Sequence, residues 1–201
     1  MQIFKFCPRS YMGSNAYLIV SGDEAAVVDP SLSFDQIKSE LAEKRLKYIL
    51  LTHCHFDHIM KVSEYVERTG AEVIIGAPDK DGLSDPMVNC YRAFFGIDDG
   101  YFGRATGVMD GDRLRLGEVE IKVISTPGHT AGGVCYLTEG ALFAGDTVFA
   151  GGGYGRCDLP GGDDATLFSS ISRLCELPDE IAVYSGHGET TTITEIKRNF
   201  K

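Results

Sequence analysis

The sequence predicts an α/β fold, because short apolar runs typical of strands alternate along the chain with segments of helical periodicity. Its 201 residues, 43% of them hydrophobic, are enough to enclose one substantial core. No repeat of fixed period, linker or low-complexity tract divides the chain. We therefore expect a single domain that spans residues 1–201.

The N-terminal half alternates strand and helix signals. A strand pair is predicted by "NAYLIV" and "AAVVD", which are joined through residues 21–24. Ser33 and Gln36 have the spacing of a capping box at the start of a helix. The run "YILL" predicts a short buried strand, and a second helix begins where the following histidine-rich stretch ends. The apolar side chains that define the two helix faces are Phe34, Ile37 and Leu41, and then Ile59, Val62 and Val66.

The C-terminal half continues the alternation. A hairpin is predicted by "RLRLG" and "VEIKVIS", and two further strands by "VCYL" and "ALFA". Leu167, Ile171 and Leu174 share one face of a helix, and "IAVYS" is expected to be the last strand. Thr192 and Glu195 form the capping box of a final helix that ends near Phe200.

Residues 77–112 form a long, irregular segment rich in aromatic side chains. Connections of this length in a compact domain are often functional. Two interpretations remain open, a helical insertion that covers the sheet and a flap that lines the substrate site. The aromatic residues are Tyr91, Phe94, Phe95, Tyr101 and Phe102.

Charge and composition exclude several classes of function. The formal net charge of −10 argues against nucleic-acid binding, because nucleic-acid-binding proteins usually carry a basic surface. No run approaches the roughly 20 apolar residues of a membrane span, and the N-terminus lacks a signal-peptide pattern, so we expect a cytoplasmic protein without membrane partners. The six cysteines include no C-x-x-C pair that would indicate a zinc ribbon, and Cys54, inside the histidine-rich stretch, is interpreted as a bystander.

All five histidines follow apolar runs that predict strands. His53, His55 and His58 come after "YILL", His129 after "VEIKVIS", and His187 after "IAVYS". Asp146 follows "ALFA" in the same way. Loops at one end of a sheet scaffold commonly hold ligands and catalytic groups, so we expect these side chains to converge. Alone, a loop histidine is more often an ordinary polar residue, and a loop aspartate a turn former or helix cap.

The spacing within "HCHFDH" suits two metal ions. Residues two apart in an extended segment face the same way, so His53 and His55 can bind one ion, while Asp57 and His58 turn toward a second position. His129 would complete the first set and His187 the second. Asp146 is able to bridge two ions, and imidazole with carboxylate suits zinc, iron or manganese. The alternative is an aspartate cap beside scattered surface histidines.

The motifs "THCHFDH", "TPGHT", "FAGDT" and "SGHG", in this order, resemble the metallo-β-lactamase superfamily, and within it small glyoxalase II-like hydrolases. The resemblance implies an αββα sandwich of two mixed β-sheets with helices on the outer faces. It implies two divalent metal ions, most simply zinc, with iron or manganese as alternatives. The implied ligands are His53, His55 and His129 for the first ion, Asp57, His58 and His187 for the second, and Asp146 between them.

The resemblance also implies hydrolysis of an acyl thioester or related small acyl compound. A metal-bridging hydroxide would attack the carbonyl, and Asp57 would orient it. Asp146 occupies a place where zinc β-lactamases lack a bridging carboxylate, so antibiotic hydrolysis is not expected. A purely structural metal site would instead be closed by protein ligands.

The segment "GGGYGRCDLPGGD" leaves the substrate open. Glutathione thioester hydrolases carry a lysine and a tyrosine in this segment, whereas here Tyr154, Arg156 and Asp158 are the candidate substrate contacts. Those hydrolases also continue into a C-terminal helical domain, whereas this chain stops at Lys201. "GRCD" is similar to a segment of persulfide dioxygenases, which have this fold and bind one iron. Persulfide dioxygenase activity is therefore the alternative function. Arg156 and Asp158 have a simpler interpretation as an ion pair.

Overall fold

Two six-stranded β-sheets form the centre of the computed structural model, which describes residues 1–8 and 12–200. The strands of the first sheet lie in sequence order: β1 (Gln2–Phe6), β2 (Ala16–Ser21), β3 (Glu24–Val28), β4 (Arg45–Leu51), β5 (Glu72–Gly76) and β6 (Ala105–Val108). Those of the second sheet do so too: β7 (Arg113–Leu116), β8 (Val119–Ser125), β9 (Val134–Thr138), β10 (Ala141–Gly145), β11 (Ala182–Ser185) and β12 (Thr191–Thr192).

Both sheets are mixed. In the first, β1, β2 and β3 pair antiparallel, and β3 to β6 pair parallel. In the second, only the β10–β11 pairing is parallel. The parallel pairs matter for the site, because the carboxyl ends of neighbouring parallel strands meet at one edge of a sheet.

Helices connect the strands and cover the outer faces of the sheets. They are α1 (Lys38–Leu41), α2 (Phe56–Ile59), α3 (Val62–Thr69), α4 (Tyr91–Phe95), α5 (Asp164–Leu174) and α6 (Ile193–Phe200). Short 3₁₀ turns occur at Phe34–Gln36, Ala77–Asp79, Asp81–Ser84 and Ala150–Gly152. Within the described ranges, no helix combines the length and the apolar character needed to cross a membrane.

Three apolar layers hold these elements together. The middle layer lies between the sheets and includes Leu50 from the first and Phe143 from the second. One outer layer packs the first sheet against α1 and α3, and the other packs the second sheet against α5 and α6. The predicted αββα sandwich of two mixed sheets is therefore confirmed.

The predicted helices are present with altered boundaries. Phe34, Ile37 and Leu41 are buried together as expected, but a 3₁₀ turn separates Phe34 from α1. The second predicted helix begins earlier, at Phe56 inside the histidine-rich stretch, and is interrupted before α3. The interruption has a visible cause, because the Lys61 N–H donates to the carbonyl of Pro30 instead of continuing the helix.

The expectation that "IAVYS" is the last strand is wrong, because the two-residue β12 pairs antiparallel with β11. The expectation that residues 77–112 form one irregular connection is also wrong, because β6 lies within them and extends the first sheet beside β5. β6 reads "ATGV", with only its two end residues buried, and so lacks the apolar alternation that marks a strand.

The rest of the 77–112 segment both covers the first sheet and lines a cavity. Tyr91 and Tyr101 are buried in the outer layer against that sheet. Phe94, Phe95 and Phe102 are all exposed, and of the three only Phe94 lines the cavity described below. Each of the two interpretations of this segment therefore describes part of it.

Candidate metal centre

Four loops bring the predicted site residues to one edge of the sandwich. His53, His55, Asp57 and His58 lie on the loop and first helical turn after β4. His129 follows β8, Asp146 follows β10, and His187 follows β11. Backbone hydrogen bonds fasten these loops to one another. The Val134 N–H donates to the Thr52 carbonyl across the sheets, and the Gly186 N–H donates to the Gly145 carbonyl.

Among the described residues, the seven predicted ligands form three groups whose ligand atoms lie within 4.8 Å of one another. The groups are His53, His55 and His129; His53, His58 and Asp146; and Asp57, His58 and His187. The first and third are the two sets predicted from the sequence. We refer to them as the histidine triad (His53, His55, His129) and the mixed triad (Asp57, His58, His187).

Asp146 lies between the two triads. One of its carboxylate oxygens, Oδ1, is 3.3 Å from His58 Nε2, and the other, Oδ2, is 3.4 Å from His187 Nε2. Oδ2 is also 3.8 Å from Nε2 of His129, in the histidine triad. A carboxylate that approaches ligand atoms of both sets has the position that a bridging ligand requires.

Outer hydrogen bonds fix the histidine rings. His58 Nδ1 is 2.8 Å from Asp29 Oδ2, and His129 Nδ1 donates to the Arg156 carbonyl at 2.7 Å. His53 Nδ1 is 3.1 Å from the hydroxyl of Thr52, which itself donates to Asp29. Such contacts orient the other ring nitrogen toward a metal. Our sequence reasoning did not select Asp29, although it follows β3 in the same way that the histidines follow their strands.

Asp79 joins two of the ligand loops. Its buried carboxylate accepts hydrogen bonds from the Cys54 N–H (3.1 Å), the Thr130 hydroxyl (2.7 Å) and the Gly132 N–H (2.5 Å). Cys54 separates His53 from His55, and Thr130 follows His129. A Cβ atom at Gly132 would lie 2.3 Å from the Asp79 backbone nitrogen, so a side chain there would force the loop after His129 away from the turn that carries Asp79. Our sequence reasoning did not select Asp79 either.

Several ligand atoms are buried without a hydrogen-bond partner: His53 Nε2, His55 Nε2, His58 Nε2 and Asp146 Oδ1. An unsatisfied buried polar group costs about 1–3 kcal/mol, so this many at one place indicates a missing partner. Imidazole nitrogens and carboxylate oxygens suit divalent transition metals. The residues therefore fit divalent cations, although the donor set does not distinguish zinc from iron.

The two triads differ in their electrostatics. In the histidine triad, burial and then the neighbouring histidines lower the pKa of His53 well below 6.5, and burial followed by His129 lowers that of His55 to about 3. In the mixed triad, burial again opposes the charged forms, but carboxylates outweigh it. Asp57, Asp29 and Asp146 raise the pKa of His58 well above 6.5, and hydrogen bonds to Asp146 and Asp57 raise that of His187 to about 9.

A cavity of about 330 Å³ opens beside both triads. Arg156 lines this cavity, as predicted for a substrate contact. Asp158 instead forms a two-pronged ion pair with the Arg156 guanidinium, at 2.6 Å for each contact. Tyr154 is not among the lining residues and packs against Phe168, with ring centroids 5.0 Å apart. Sequence reasoning missed most of the apolar wall, which comprises Met12, Phe56, Cys90, Phe94, Phe149 and Leu159.

Curated proteins similar to this chain include two bacterial relatives of nearly equal length. The probable metallo-hydrolase YqgX of Bacillus subtilis is 37% identical over 199 residues, which cover 96% of this chain and 93% of that protein. The hydroxyacylglutathione hydrolase GloC of Haemophilus influenzae is 33% identical over 200 residues, with the same two coverages.

Solved structures support the same relationship. The BLEG-1 B3 metallo-β-lactamase superposes with a TM-score of 0.88 at 31% identity, over 96% of this chain and 95% of that one. ETHE1 from Myxococcus xanthus superposes with a TM-score of 0.79 at 29% identity, over 100% of this chain and 83% of that one. TTHA1623, solved in a di-iron-bound form, gives 0.82 at 29% identity, over 98% of each chain.

A family profile matches most of the chain. It is the profile described as the metallo-β-lactamase superfamily, and it covers residues 10–187. This range includes every residue of both triads as well as Asp146 and Asp79. The chain therefore belongs to the metallo-β-lactamase superfamily.

Proposed function

We propose that this superfamily member is a metal-dependent hydrolase of acyl thioesters. The observation that carries the proposal is the arrangement of two ligand triads around one carboxylate, Asp146, beside a cavity large enough for a small ligand. The similarity to a hydroxyacylglutathione hydrolase and to a protein solved with two iron ions supports the proposal. Each triad contributes three ligand atoms, which leaves room for water and substrate.

In this proposal, the histidine triad holds one divalent cation, the mixed triad holds a second, and Asp146 lies between them. Cations bound there would activate water and polarise the thioester carbonyl. Hydrolysis forms a C–O bond from water and breaks the C–S bond, so the products are a carboxylate and a thiolate, and the two protons of the water pass to solvent or to the thiolate. No oxidant is consumed. Because a thiolate is a good leaving group, no strong general acid is required.

Asp57 is the residue that we propose orients the attacking water. It lines the cavity, and its Oδ2 lies 3.2 Å from His187 Nε2 and 3.5 Å from His58 Nε2. Burial works against its charged form, but His58 and a hydrogen bond from His187 outweigh burial and keep the pKa of Asp57 below 3.8. Asp57 is therefore an anion at neutral pH and is able to accept a hydrogen bond from water.

Persulfide dioxygenase activity is the second candidate. It is favoured by the "GRCD" segment and by the similarity to ETHE1. In this chain the "GRCD" backbone is part of the site, because the Arg156 carbonyl holds His129 Nδ1. The two candidates differ in their requirement for oxygen, since hydrolysis consumes only water.

The deciding experiment measures thiol release from S-lactoylglutathione and from acyl thioesters of N-acetylcysteamine, without oxygen, by protein reconstituted with zinc, iron or manganese. We expect turnover without oxygen, close to two ions per chain at saturation, and loss of activity on chelation. Turnover of glutathione persulfide alone, with strict dependence on oxygen, would favour the dioxygenase. A chromogenic cephalosporin is also tested, and its preferential hydrolysis would contradict the thioesterase proposal. Protein that never binds more than one ion would contradict the two-cation arrangement.

A further inference from the structure

Part of the cavity wall is apolar and begins beside the triads. Phe56 and Phe94 form its centre, with ring centroids 5.0 Å apart. Phe56 is the residue after His55, so this wall begins beside the histidine triad. Tyr91 and Phe95 pack on the outer side of Phe56, at centroid distances of 5.8 and 5.1 Å.

The backbone of the 77–112 segment is held in place at this wall. The Asn89 carbonyl accepts a hydrogen bond from the Phe56 N–H at 2.8 Å. The buried Asn89 side chain donates to the carbonyls of Leu83 and Asp99 and accepts from the Tyr91 N–H. Cys90, which lines the cavity, has a φ of +69°, a left-handed conformation that is unfavourable for a residue other than glycine. The wall is thus constructed against a local backbone preference and is not a loose loop.

The described lining of the cavity offers few cationic groups to a charged thiol carrier. Among the described lining residues, Arg156 is the one cationic side chain besides the histidines. Both carboxylate oxygens of Asp158 accept hydrogen bonds from the Arg156 guanidinium, so the two charges cancel. An S-acyl glutathione brings two carboxylates and an ammonium group, and these described residues offer no separate cation for each carboxylate.

The histidines that line the cavity differ in exposure. His187, in the mixed triad, has a side chain that is 38% exposed, whereas His55 and His129 are buried. The departing thiol needs a path to solvent, and the exposed end beside His187 offers one. The acyl group is then left against the buried Phe56, beside Phe94, which is itself 45% exposed.

We propose that the substrate carries an apolar acyl group, such as a short aliphatic chain, on a thiol without net charge, and that Phe94 is a specificity-determining residue. The proposal rests on the thioesterase function and names its substrate class. Because burial of one methylene group favours binding about threefold to fourfold, catalytic efficiency should rise with the length of the chain until the wall is covered.

The test compares acetyl, butanoyl and hexanoyl thioesters of N-acetylcysteamine with S-lactoylglutathione, using metal-reconstituted protein. From acetyl to hexanoyl we expect kcat/KM to rise about 10-fold to 100-fold, and hexanoyl to exceed lactoylglutathione. Phe94→Ala should reduce the hexanoyl-to-acetyl ratio about fivefold or more, because the apolar contact is shortened. Phe102→Ala is the matched control, because Phe102 belongs to the same segment, is 70% exposed and does not line the cavity.

The outcomes separate the two proposals. Equal rates for all chain lengths, preference for lactoylglutathione, or equal effects of Phe94→Ala and Phe102→Ala would overturn the inference and leave the thioesterase function standing. If no thioester is cleaved, the proposed function fails. Calorimetry with the uncleavable thioethers S-hexyl- and S-ethyl-N-acetylcysteamine then decides the inference. Tighter binding of the hexyl compound, weakened by Phe94→Ala, supports an apolar ligand, and equal binding of the two compounds contradicts it.

Discussion

The histidine triad and the mixed triad are neighbours with opposite character. The rings of His53 and His58, one from each triad, have centroids only 4.0 Å apart. In the histidine triad every ligand is a buried imidazole, and the pKa values of His53 and His55 are lowered. In the mixed triad one ligand is a carboxylate, His187 is partly exposed, and both histidines have raised pKa values.

This difference concerns the charge balance at the two triads. On the mixed side, protons on His58 and His187 offset the negative charges of Asp57 and Asp146. The histidine triad has no such replacement, because burial disfavours the protonated imidazoles of His53 and His55. Protons therefore offset negative charge at the mixed triad but not at the histidine triad, although Nε2 of His58 is buried without a hydrogen-bond partner just as Nε2 of His53 and of His55 are. The predictions below test this contrast, from the largest effect to the smallest.

The largest effect is expected for His53→Ala. His53 belongs to the histidine triad and also to the group with His58 and Asp146, so its loss should weaken both proposed metal positions. We expect metal content to fall below one ion per chain and thioester hydrolysis to fall about 1000-fold or more, which corresponds to about 4 kcal/mol of barrier. Elemental analysis and a thiol-release assay measure the two effects. Circular dichroism must show a folded variant, and a folded variant with two ions would exclude His53 as a ligand.

His187→Ala should have a smaller and more selective effect. His187 belongs only to the mixed triad, so one ion should be lost while the histidine triad retains the other. Hydrolysis should fall about 100-fold, or about 2.7 kcal/mol of barrier. Metal analysis by itself distinguishes the two variants, with about one ion retained here. If His187→Ala keeps both ions and full activity, the two-cation mechanism is wrong.

The strands and motifs with strong local signals were predictable from the sequence. "YILL" and "ALFA" are apolar runs followed by polar ligand residues, and this pattern located the site edge before any pairing was known. β6 was missed because Thr106 and Gly107 face solvent and its stability comes from pairing with β5. Such pairing is a tertiary effect that local sequence does not contain.

The site was predictable only as far as it depends on residue type and spacing. Both triads came from the spacing of the histidines and Asp57, and the structure brings their ligand atoms together. Asp79 was missed because its role depends on three donors from two distant loops. Most of the apolar wall was missed, and within the 77–112 segment the sequence did not separate Phe94, which lines the cavity, from Phe102, which does not.

Asp79→Asn should loosen the histidine triad alone. The amide keeps one oxygen acceptor but places an NH₂ group against the N–H and hydroxyl donors of Cys54, Thr130 and Gly132. Loss of an outer hydrogen-bond partner commonly costs 10-fold to 100-fold in metal affinity, and we expect about 10-fold for the ion of the histidine triad. Competitive titration with a chromophoric chelator measures the affinity of each ion in the folded protein.

Leu174→Ala is the matched control for the Asp79 variant. Leu174 is the last residue of α5 and is buried in the outer layer beneath that helix, and its truncation should lower the free energy of unfolding by about 2–5 kcal/mol. General destabilisation should leave metal affinity in the folded state unchanged. Equal loss of affinity in both variants would show that Asp79 acts only through overall stability.

The smallest effect concerns pH and the metal-free protein. The folded-state pKa of His187, about 9, lies above its ordinary value of 6.5, so its protonated form stabilises the fold. That contribution is fully present below about pH 6.5 and is lost as the pH rises through about 9. We therefore expect urea unfolding with chelator present to show that wild type is more stable than His187→Gln at pH 6. The difference in the free energy of unfolding should be at most about 1 kcal/mol, because the group is partly exposed, and it should vanish above pH 9.

Comparing the two proteins at each pH removes the contributions of groups that do not interact with His187. Asp57→Asn removes one of its carboxylate partners, so in that background the difference at pH 6 should be smaller. A difference that is constant with pH, or that grows above pH 9, would show that no proton on the mixed triad takes the place of the cation.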